Sequence, residues 1–243
     1  IKQKIASEKD NALWRYVLAT LYRKCHMYSE ALPLLGGLMD EYGVDEDILE
    51  ERAECYDEMG FIELALADVD KAIEICRDRN KPYFYALRSS INRHGANYME
   101  CIDDIEKFID RYPTDAYGYY VRGWCKELSG NRTGAYEDYN EGIAVDEDYP
   151  YIFLMRGTLF LEDGDVEKAN LDFERVVAKD TTLESGSCRH YALNFLGRTE
   201  EALEWMDKLI ELDVDDPGMW YDKSCLLARM GKCDESVAAL KVA

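Results

Sequence analysis

The chain has 243 residues and a formal net charge of −21, from 50 acidic and 29 basic residues. Such a charge repels the phosphates of nucleic acids and of anionic membrane surfaces, so we expect neither as a partner. No apolar run approaches the roughly 20 residues that a membrane-spanning helix needs. The acidic balance instead favours a basic protein or peptide as partner.

A small residue recurs along the whole chain at intervals of 33 to 36 residues. Self-similarity at a period of this size indicates a stacked-repeat architecture. The recurring residues are Ala31, Ala65, Cys101, Ala135, Ala169, Ala202 and Ser236.

The repeats are predicted in chain order from this spacing. Residues 1–11 are expected to be the tail of a preceding helix, and the pattern stops inside a predicted helix at Ala243, so we expect both ends to continue into a longer protein. The seven repeats that follow the tail lie near 12–45, 46–81, 82–115, 116–149, 150–182, 183–216 and 217–243.

Each repeat has the pattern of two helices joined by a turn. Apolar residues recur every three or four positions, and no stretch shows the alternation of a β-strand, so we predict no sheet. Asp45, Asp115 and Asp216 precede predicted helices and suit N-caps. Positions within a repeat are counted from its first residue. Glycine at position 15 suits the left-handed conformation that ends many helices. These glycines are Gly60, Gly130, Gly164, Gly197 and Gly231.

In these features the chain resembles the tetratricopeptide repeat family, whose 34-residue unit is a helix-turn-helix with small residues at positions 8 and 20. Position 24, which is large and apolar in the family, is filled by Leu35, Val69, Ile105, Tyr139, Phe173, Met206 and Leu240. The resemblance implies an all-α fold: a right-handed α-solenoid superhelix of stacked helix-turn-helix units, forming one domain over residues 1–243. It also implies a concave groove that holds a segment of a partner protein.

The sixth repeat departs most from the pattern. It is one residue short and begins with Ser185, Gly186 and Ser187, and His190 replaces the small residue at position 8. Glycine weakens a helix interior by roughly 1 kcal/mol. We therefore expect the first helix of this repeat to be frayed or tilted at its start.

The second to fifth repeats carry arginine at position 7 and aspartate at position 23. We interpret them as ion pairs within a hairpin or between neighbouring hairpins, because a guanidinium binds a carboxylate through two hydrogen bonds. Capture of ligand carboxylates by the arginines is the alternative. The predicted pairs are Arg52 with Asp68, Arg88 with Asp104, Arg122 with Asp138, and Arg156 with Asp172.

An aromatic row follows a second stripe of the first helices. The resemblance implies that this stripe lines the groove, where Tyr and Trp suit recognition. The alternative is that the rings only pack on one another between adjacent helices. The row consists of Tyr16, Tyr83, Tyr117, Tyr120, Trp124, Tyr151, Tyr191 and Tyr221.

The second repeat is strongly acidic around a single Arg52. Four of its carboxylates occupy the same predicted groove stripe, namely Asp47, Glu50, Glu54 and Asp57. They form either a solvated helix face or a cation-attracting end of the groove.

The eight cysteines form no C-x-x-C pair, and we interpret them as small buried apolar residues. Neither they nor the three histidines cluster as metal ligands do, so we predict no metal and no cofactor. Reduced thiols favour a cytoplasmic location.

No catalytic motif is recognisable, and we predict that the chain is not an enzyme. The leading hypothesis is a scaffold or adaptor that binds a basic or aromatic segment of another protein. The alternatives are a structural spacer, a self-assembling element that forms homo-oligomers, or a regulatory domain of a larger protein.

Overall fold

The structure is a computed structural model that describes residues 12–182, 187–212 and 216–242. Within these ranges it contains fourteen α-helices and no β-strand, which confirms the predicted all-α class. The predicted helical tail at residues 1–11 lies outside the described residues, as do Ser185 and Gly186. Helices α1 to α14 span Ala12–Lys24, Tyr28–Tyr42, Glu46–Glu58, Ile62–Ile75, Lys81–His94, Tyr98–Arg111, Ala116–Leu128, Arg132–Val145, Pro150–Glu162, Val166–Lys179, Arg189–Phe195, Thr199–Leu212, Pro217–Arg229 and Cys233–Leu240.

Consecutive helices pack against each other as hairpins, for example α1 with α2, α3 with α4, and α9 with α10. Within each unit, neighbouring hairpins also pack on one another, as α4 does on α5 and α12 on α13. This is a stacked helical repeat array, in which each hairpin buries its apolar face against its neighbours.

The array divides into two compact units. The first comprises the described residues up to Pro113 together with Cys125–Gly130, and the second comprises Thr114–Trp124 with those from Asn131 onwards. The organisation of residues 1–243 as one solenoid with seven repeats stays a prediction.

The small residues of position 20 lie in the tightest part of each hairpin. From Ala31 to Ala202 all six are fully buried. Position 8 faces position 24 of the same hairpin: a Cβ atom on Gly157 would lie 2.7 Å from Cε1 of Phe173, and one on Gly123 2.5 Å from Cε1 of Tyr139. Glycine therefore stands at position 8 where position 24 is aromatic.

The turn after the first helix has the same conformation in every repeat. The five predicted glycines have positive φ, between 74° and 86°. His26 and Ala96 occupy the equivalent position in the first and third repeats, and they also have positive φ, 54° and 59°. The hairpin geometry thus imposes the left-handed conformation even where the side chain disfavours it. The predicted N-caps also form, since Asp45, Asp115 and Asp216 each accept a backbone N–H bond.

Helix α11, the first of the sixth repeat, is short, and the fraying or tilt expected at its start falls partly on residues outside the described ranges. It has seven residues and begins at Arg189. The Asp180 carboxylate satisfies donors at the start of this helix: its Oδ2 accepts hydrogen bonds from the backbone N–H of Cys188 at 2.6 Å and Arg189 at 2.8 Å, and from the Ser187 hydroxyl at 3.0 Å.

The interpretation of all eight cysteines as buried, isolated residues is wrong. Cys101 of α6 and Cys125 of α7 form a disulfide within the first unit, because packing brings position 20 of one repeat against position 10 of the next. Cys25, Cys225 and Cys233 are exposed. The cytoplasmic location stays a prediction, without the support of uniformly reduced thiols. None of the described helices is both long and apolar enough to cross a lipid bilayer.

Candidate functional site

The structure brings each of the four arginines of position 7 against its aspartate across the hairpin. Two nitrogen–oxygen contacts join every pair, at 2.6–3.0 Å, and the aspartates are almost fully buried. Removing one partner of a buried pair leaves an uncompensated charge, which typically costs about 3–5 kcal/mol. The geometry therefore favours the structural role over capture of ligand carboxylates.

The sixth repeat replaces this ion pair with an aromatic contact. The guanidinium of Arg189 lies 4.7 Å from the ring centroid of Trp205, a cation–π distance, and donates to the carbonyl of Asp180 at 3.1 Å. The indole Nε1 of Trp205 in turn donates to Ser187 Oγ at 2.9 Å.

Most of the predicted aromatic row of the second unit forms a contiguous cluster. Tyr120 is its centre, with ring centroids at 6.4 Å from Tyr117, 5.7 Å from Trp124 and 5.8 Å from Tyr151. Tyr149 also belongs to it, 5.9 Å from Tyr120, although the sequence did not single it out because it precedes the helix start. Burial, reinforced by the nearby Cys188 and the Asp180 carboxylate, raises the pKa of Tyr151 to about 12.

A cavity of about 410 Å³ opens beside this cluster, entirely within the second unit. It has a volume typical of small binding pockets. Leu154, Met206 and Met219 are among the apolar side chains of its wall. The predicted groove residues that line it are Tyr120, Trp124, Tyr151 and Tyr191.

The polar part of this cavity is built from His190, Tyr191 and Asp222. The Tyr191 hydroxyl donates to Asp222 Oδ2 at 2.6 Å, and His190 Nε2 lies 3.5 Å from the same oxygen. Burial pushes the pKa of Asp222 upward, but the contacts with His190 and Tyr191 outweigh it, so the pKa lies below its usual value. Asp222 is therefore ionised at neutral pH. Neither His190 nor Asp222 was a sequence candidate, since position 8 is normally a packing position.

In the first unit, the acidic stripe is partly neutralised by a neighbouring repeat. Arg23 reaches across from α1 and contacts Glu51 at 2.8 Å, Glu54 at 2.7 Å and Glu58 at 3.1 Å. Arg52 is the one basic residue within this stretch of sequence, and the structure adds Arg23, which lies 28 residues before Glu51 in the chain.

Glu54 is the most perturbed carboxylate of the stripe. Burial raises its pKa to about 7, and the negative charges of Glu50, Glu51 and Glu58 add to that effect, whereas Arg23 opposes it. One guanidinium cannot compensate several carboxylates held at such close range.

Two of the remaining carboxylates of the stripe, Asp57 and Glu50, have partners other than Arg23. His94 Nδ1 lies 2.8 Å from Asp57, and the Tyr83 hydroxyl donates to Glu50. Tyr16 is half-buried, and burial, with help from nearby carboxylates, raises its pKa to about 12. Asp47 is exposed near the start of α3.

Comparison with known proteins agrees with the repeat geometry. No protein-family model matches the chain. The chain is 28% identical over 180 residues to the TPR repeat-containing protein MJ1428 of Methanocaldococcus jannaschii, which covers 69% of this chain and 31% of that protein. The solved structure of MamA 41-end from Desulfovibrio magneticus RS-1 superposes with a TM-score of 0.59 at 16% identity, over 70% of this chain and 94% of MamA. TTC0263, a thermophilic TPR protein of Thermus thermophilus, superposes with a TM-score of 0.58 at 17% identity, over 80% and 100%. The chain has the tetratricopeptide repeat fold.

Tetratricopeptide repeat folds generally mediate protein–protein interaction, through the extended surfaces that stacked repeats create. The chain spans about a third of the length of MJ1428. Among the described residues, no group of His, Cys, Asp and Glu is arranged to hold a metal ion.

Tyr221 is a member of the predicted row that is not among the lining residues of the cavity. It lies on α13 with 56% of its surface exposed, and a hydrogen bond to Cys225 raises its pKa. It belongs to the open surface of the second unit, whereas the neighbouring Asp222 lines the cavity.

Proposed function

We propose that this chain is a protein-binding scaffold whose second unit holds an extended or helical segment of a partner. The observation that carries the proposal is the cavity lined by Tyr120, Trp124, Tyr151 and Tyr191. Large, stiff aromatic side chains around a concave site are typical of the central residues of protein interfaces. Clustering of the rings on one another is compatible with this role, since packed side chains present a preorganised surface.

Charge supports a basic partner. The chain carries a net charge of −21, and the cavity contains the carboxylates of Asp216 and Asp222. The carboxylates of Glu50, Glu51, Glu54 and Glu58 outnumber the one guanidinium of Arg23 that lies among them. Burial and the neighbouring carboxylates together raise the pKa of Glu54. Complementary charge accelerates association and selects partners more than it adds affinity.

The test is a peptide array that varies charge and aromatic content, probed with the purified protein at two salt concentrations. Binding to basic peptides should weaken as salt rises, because exposed charges are screened. The double variant Tyr120→Ala, Trp124→Ala should lose the binding, whereas Phe61→Ala, which removes an exposed ring of the first unit, should keep it.

Two results would contradict the proposal. Binding that survives the double variant would place the interaction elsewhere. Absence of binding by a folded protein whose mass rises with concentration would favour self-assembly instead. That the chain has no enzymatic activity of its own stays a prediction, as do its location and its natural partner.

A further inference from the structure

We propose that the cavity of the second unit is a pocket for one arginine side chain of the partner segment, with Asp222 as its counter-ion. This inference rests on the proposed function and adds to it the residue type that is recognised. The guanidinium would lie against the aromatic wall and point its N–H groups at Asp222 and His190.

The charges of the cavity favour a cation. Asp216 and Asp222 line it, and no lysine or arginine is found among its described lining residues. Asp222 is held partly away from solvent, with 25% of its side chain exposed. Its carboxylate has two oxygens that together accept about four hydrogen bonds. The Tyr191 hydroxyl and the nearby His190 both approach Oδ2, so capacity for a guanidinium remains at Oδ1.

His190 is the second, independent indication of a ligand. It lines the same cavity with only 5% of its surface exposed. Its Nε2 lies 3.5 Å from Asp222 Oδ2, whereas its Nδ1 is buried and has no hydrogen-bond partner among the described residues. A buried polar group without a partner is costly, and native proteins rarely leave one unsatisfied. An imidazole whose Nε2 faces a carboxylate leaves Nδ1 as the nitrogen that a ligand can reach. A ligand donor entering the cavity would satisfy it.

The aromatic wall favours arginine over lysine. The ring of Tyr120 lies 5.7 Å from that of Trp124 and 5.8 Å from that of Tyr151, and all three residues line the cavity. A guanidinium is planar, stacks on aromatic faces, and has five donors in a rigid fork. It can therefore contact a ring while it donates to two acceptors, which a compact ammonium group does less well.

The experiment uses three tripeptide probes, N-acetyl-Leu-Arg-Leu-amide and its counterparts with citrulline or lysine at the centre. Citrulline keeps the shape of arginine and removes its charge. Binding to the full chain is followed by NMR or calorimetry at low salt. A hydrogen bond to a charged group is worth more than about 1.4 kcal/mol, so the arginine probe should bind about tenfold more tightly than the citrulline probe. The lysine probe should fall between them.

Two variants locate the effect. Asp222→Asn should remove the difference between arginine and citrulline. Asp234→Asn removes the same charge from an exposed position on α14 outside the cavity, and it should leave the difference unchanged. Equal binding of arginine and citrulline by the unmodified protein overturns the inference, and this comparison needs no variant to fold.

The result separates the two proposals. If array peptides bind and lose binding in the Tyr120→Ala, Trp124→Ala variant, but citrulline replaces arginine without loss, the proposed function stands and the arginine pocket fails. If neither the array peptides nor the tripeptides bind, both fail.

Discussion

At the scale of single residues, the identity of one side chain in a hairpin decides what its neighbour can be. Phe173 is fully buried and occupies the space that a Cβ on Gly157 would need. In the first two repeats, where position 24 is Leu35 or Val69, position 8 is alanine. The sequence predicts small residues at position 8, and the contact distances explain why the fourth and fifth repeats have glycine there.

We expect Gly157→Ala to destabilise the protein despite the better helix propensity of alanine. Overpacking a close contact costs about 1–3 kcal/mol, more than the gain of about 1 kcal/mol in helix propensity. The free energy of unfolding from urea titration is the measurement. Gly37→Ala is the matched control: it lies inside α2 with no atom within 4 Å of the added Cβ, and it should stabilise. Combining Gly157→Ala with Phe173→Leu should recover part of the loss, and a double variant no better than the single one would refute the steric explanation.

The pKa of Glu54 predicts a pH dependence of stability. The pKa is about 7 in the folded chain and 4.5 ordinarily, so the folded state keeps a proton that the unfolded state loses between these values. The contribution of Glu54 to the free energy of unfolding is therefore largest below about pH 4.5, and it falls as pH rises towards 7. Glu54→Gln should be more stable than the unmodified protein at pH 8, by about 1–3 kcal/mol, and nearly equal at pH 4.

Chemical denaturation at several pH values tests this expectation. Glu63→Gln, on an exposed position of α4, controls for the change in net charge and should follow the unmodified protein. If Glu54→Gln raises the free energy of unfolding by the same amount at pH 4 and pH 8, the pKa of Glu54 is not raised in the folded protein.

At the scale of helices and turns, the hairpin geometry overrides the conformational preference of a single residue. Ala96 adopts a φ of 59° at a position where five other repeats have glycine. A residue with a Cβ is destabilised by about 1–2 kcal/mol in this conformation. The rest of the hairpin holds it there because the direction of the second helix depends on this turn.

Ala96→Gly should raise the free energy of unfolding by about 0.5–1 kcal/mol, since the relief of backbone strain exceeds the larger entropy of the unfolded chain. The reverse change at the equivalent turn of the fifth repeat, Gly164→Ala, should lower it by a similar amount. Thermal melts of both variants check the pair, and a loss of stability in Ala96→Gly would contradict the strain.

The short helix α11 depends on a carboxylate outside it. Asp180→Ala leaves the N–H groups of Cys188 and Arg189 without their acceptor, and should cost about 1–2 kcal/mol. Amide hydrogen exchange should accelerate in α11 before it does elsewhere. Asp180→Asn keeps one acceptor oxygen and should lose less. Because Tyr191 and His190 lie on α11, peptide binding should weaken in step with its fraying.

At the scale of the whole molecule, contacts between repeats set both stability and the candidate site. The disulfide between Cys101 and Cys125 closes a loop across 24 residues in the first unit, which corresponds to about 3 kcal/mol of chain entropy. Alkylation of the denatured, unreduced protein should therefore label six of its eight cysteines. Reductant should lower the melting temperature, and a Cys101→Ala, Cys125→Ala variant should not respond to it. Labelling of all eight cysteines would show that the bond is absent.

The sequence by itself determined the features that repeat. The 34-residue spacing indicated the hairpins, the glycine turns and the caps, and it placed each arginine of position 7 opposite an aspartate, because within one hairpin the distance along the chain sets the register. The aromatic cluster was largely predictable for the same reason, apart from Tyr149.

Only the tertiary structure decided the features that join different repeats. Arg23 beside Glu54, His94 beside Asp57, and the Cys101–Cys125 bond all depend on how one hairpin is rotated against the next. So does the meeting of His190 and Asp222 in one cavity. Side-chain packing fixes that rotation, and no single position of the repeat pattern encodes it.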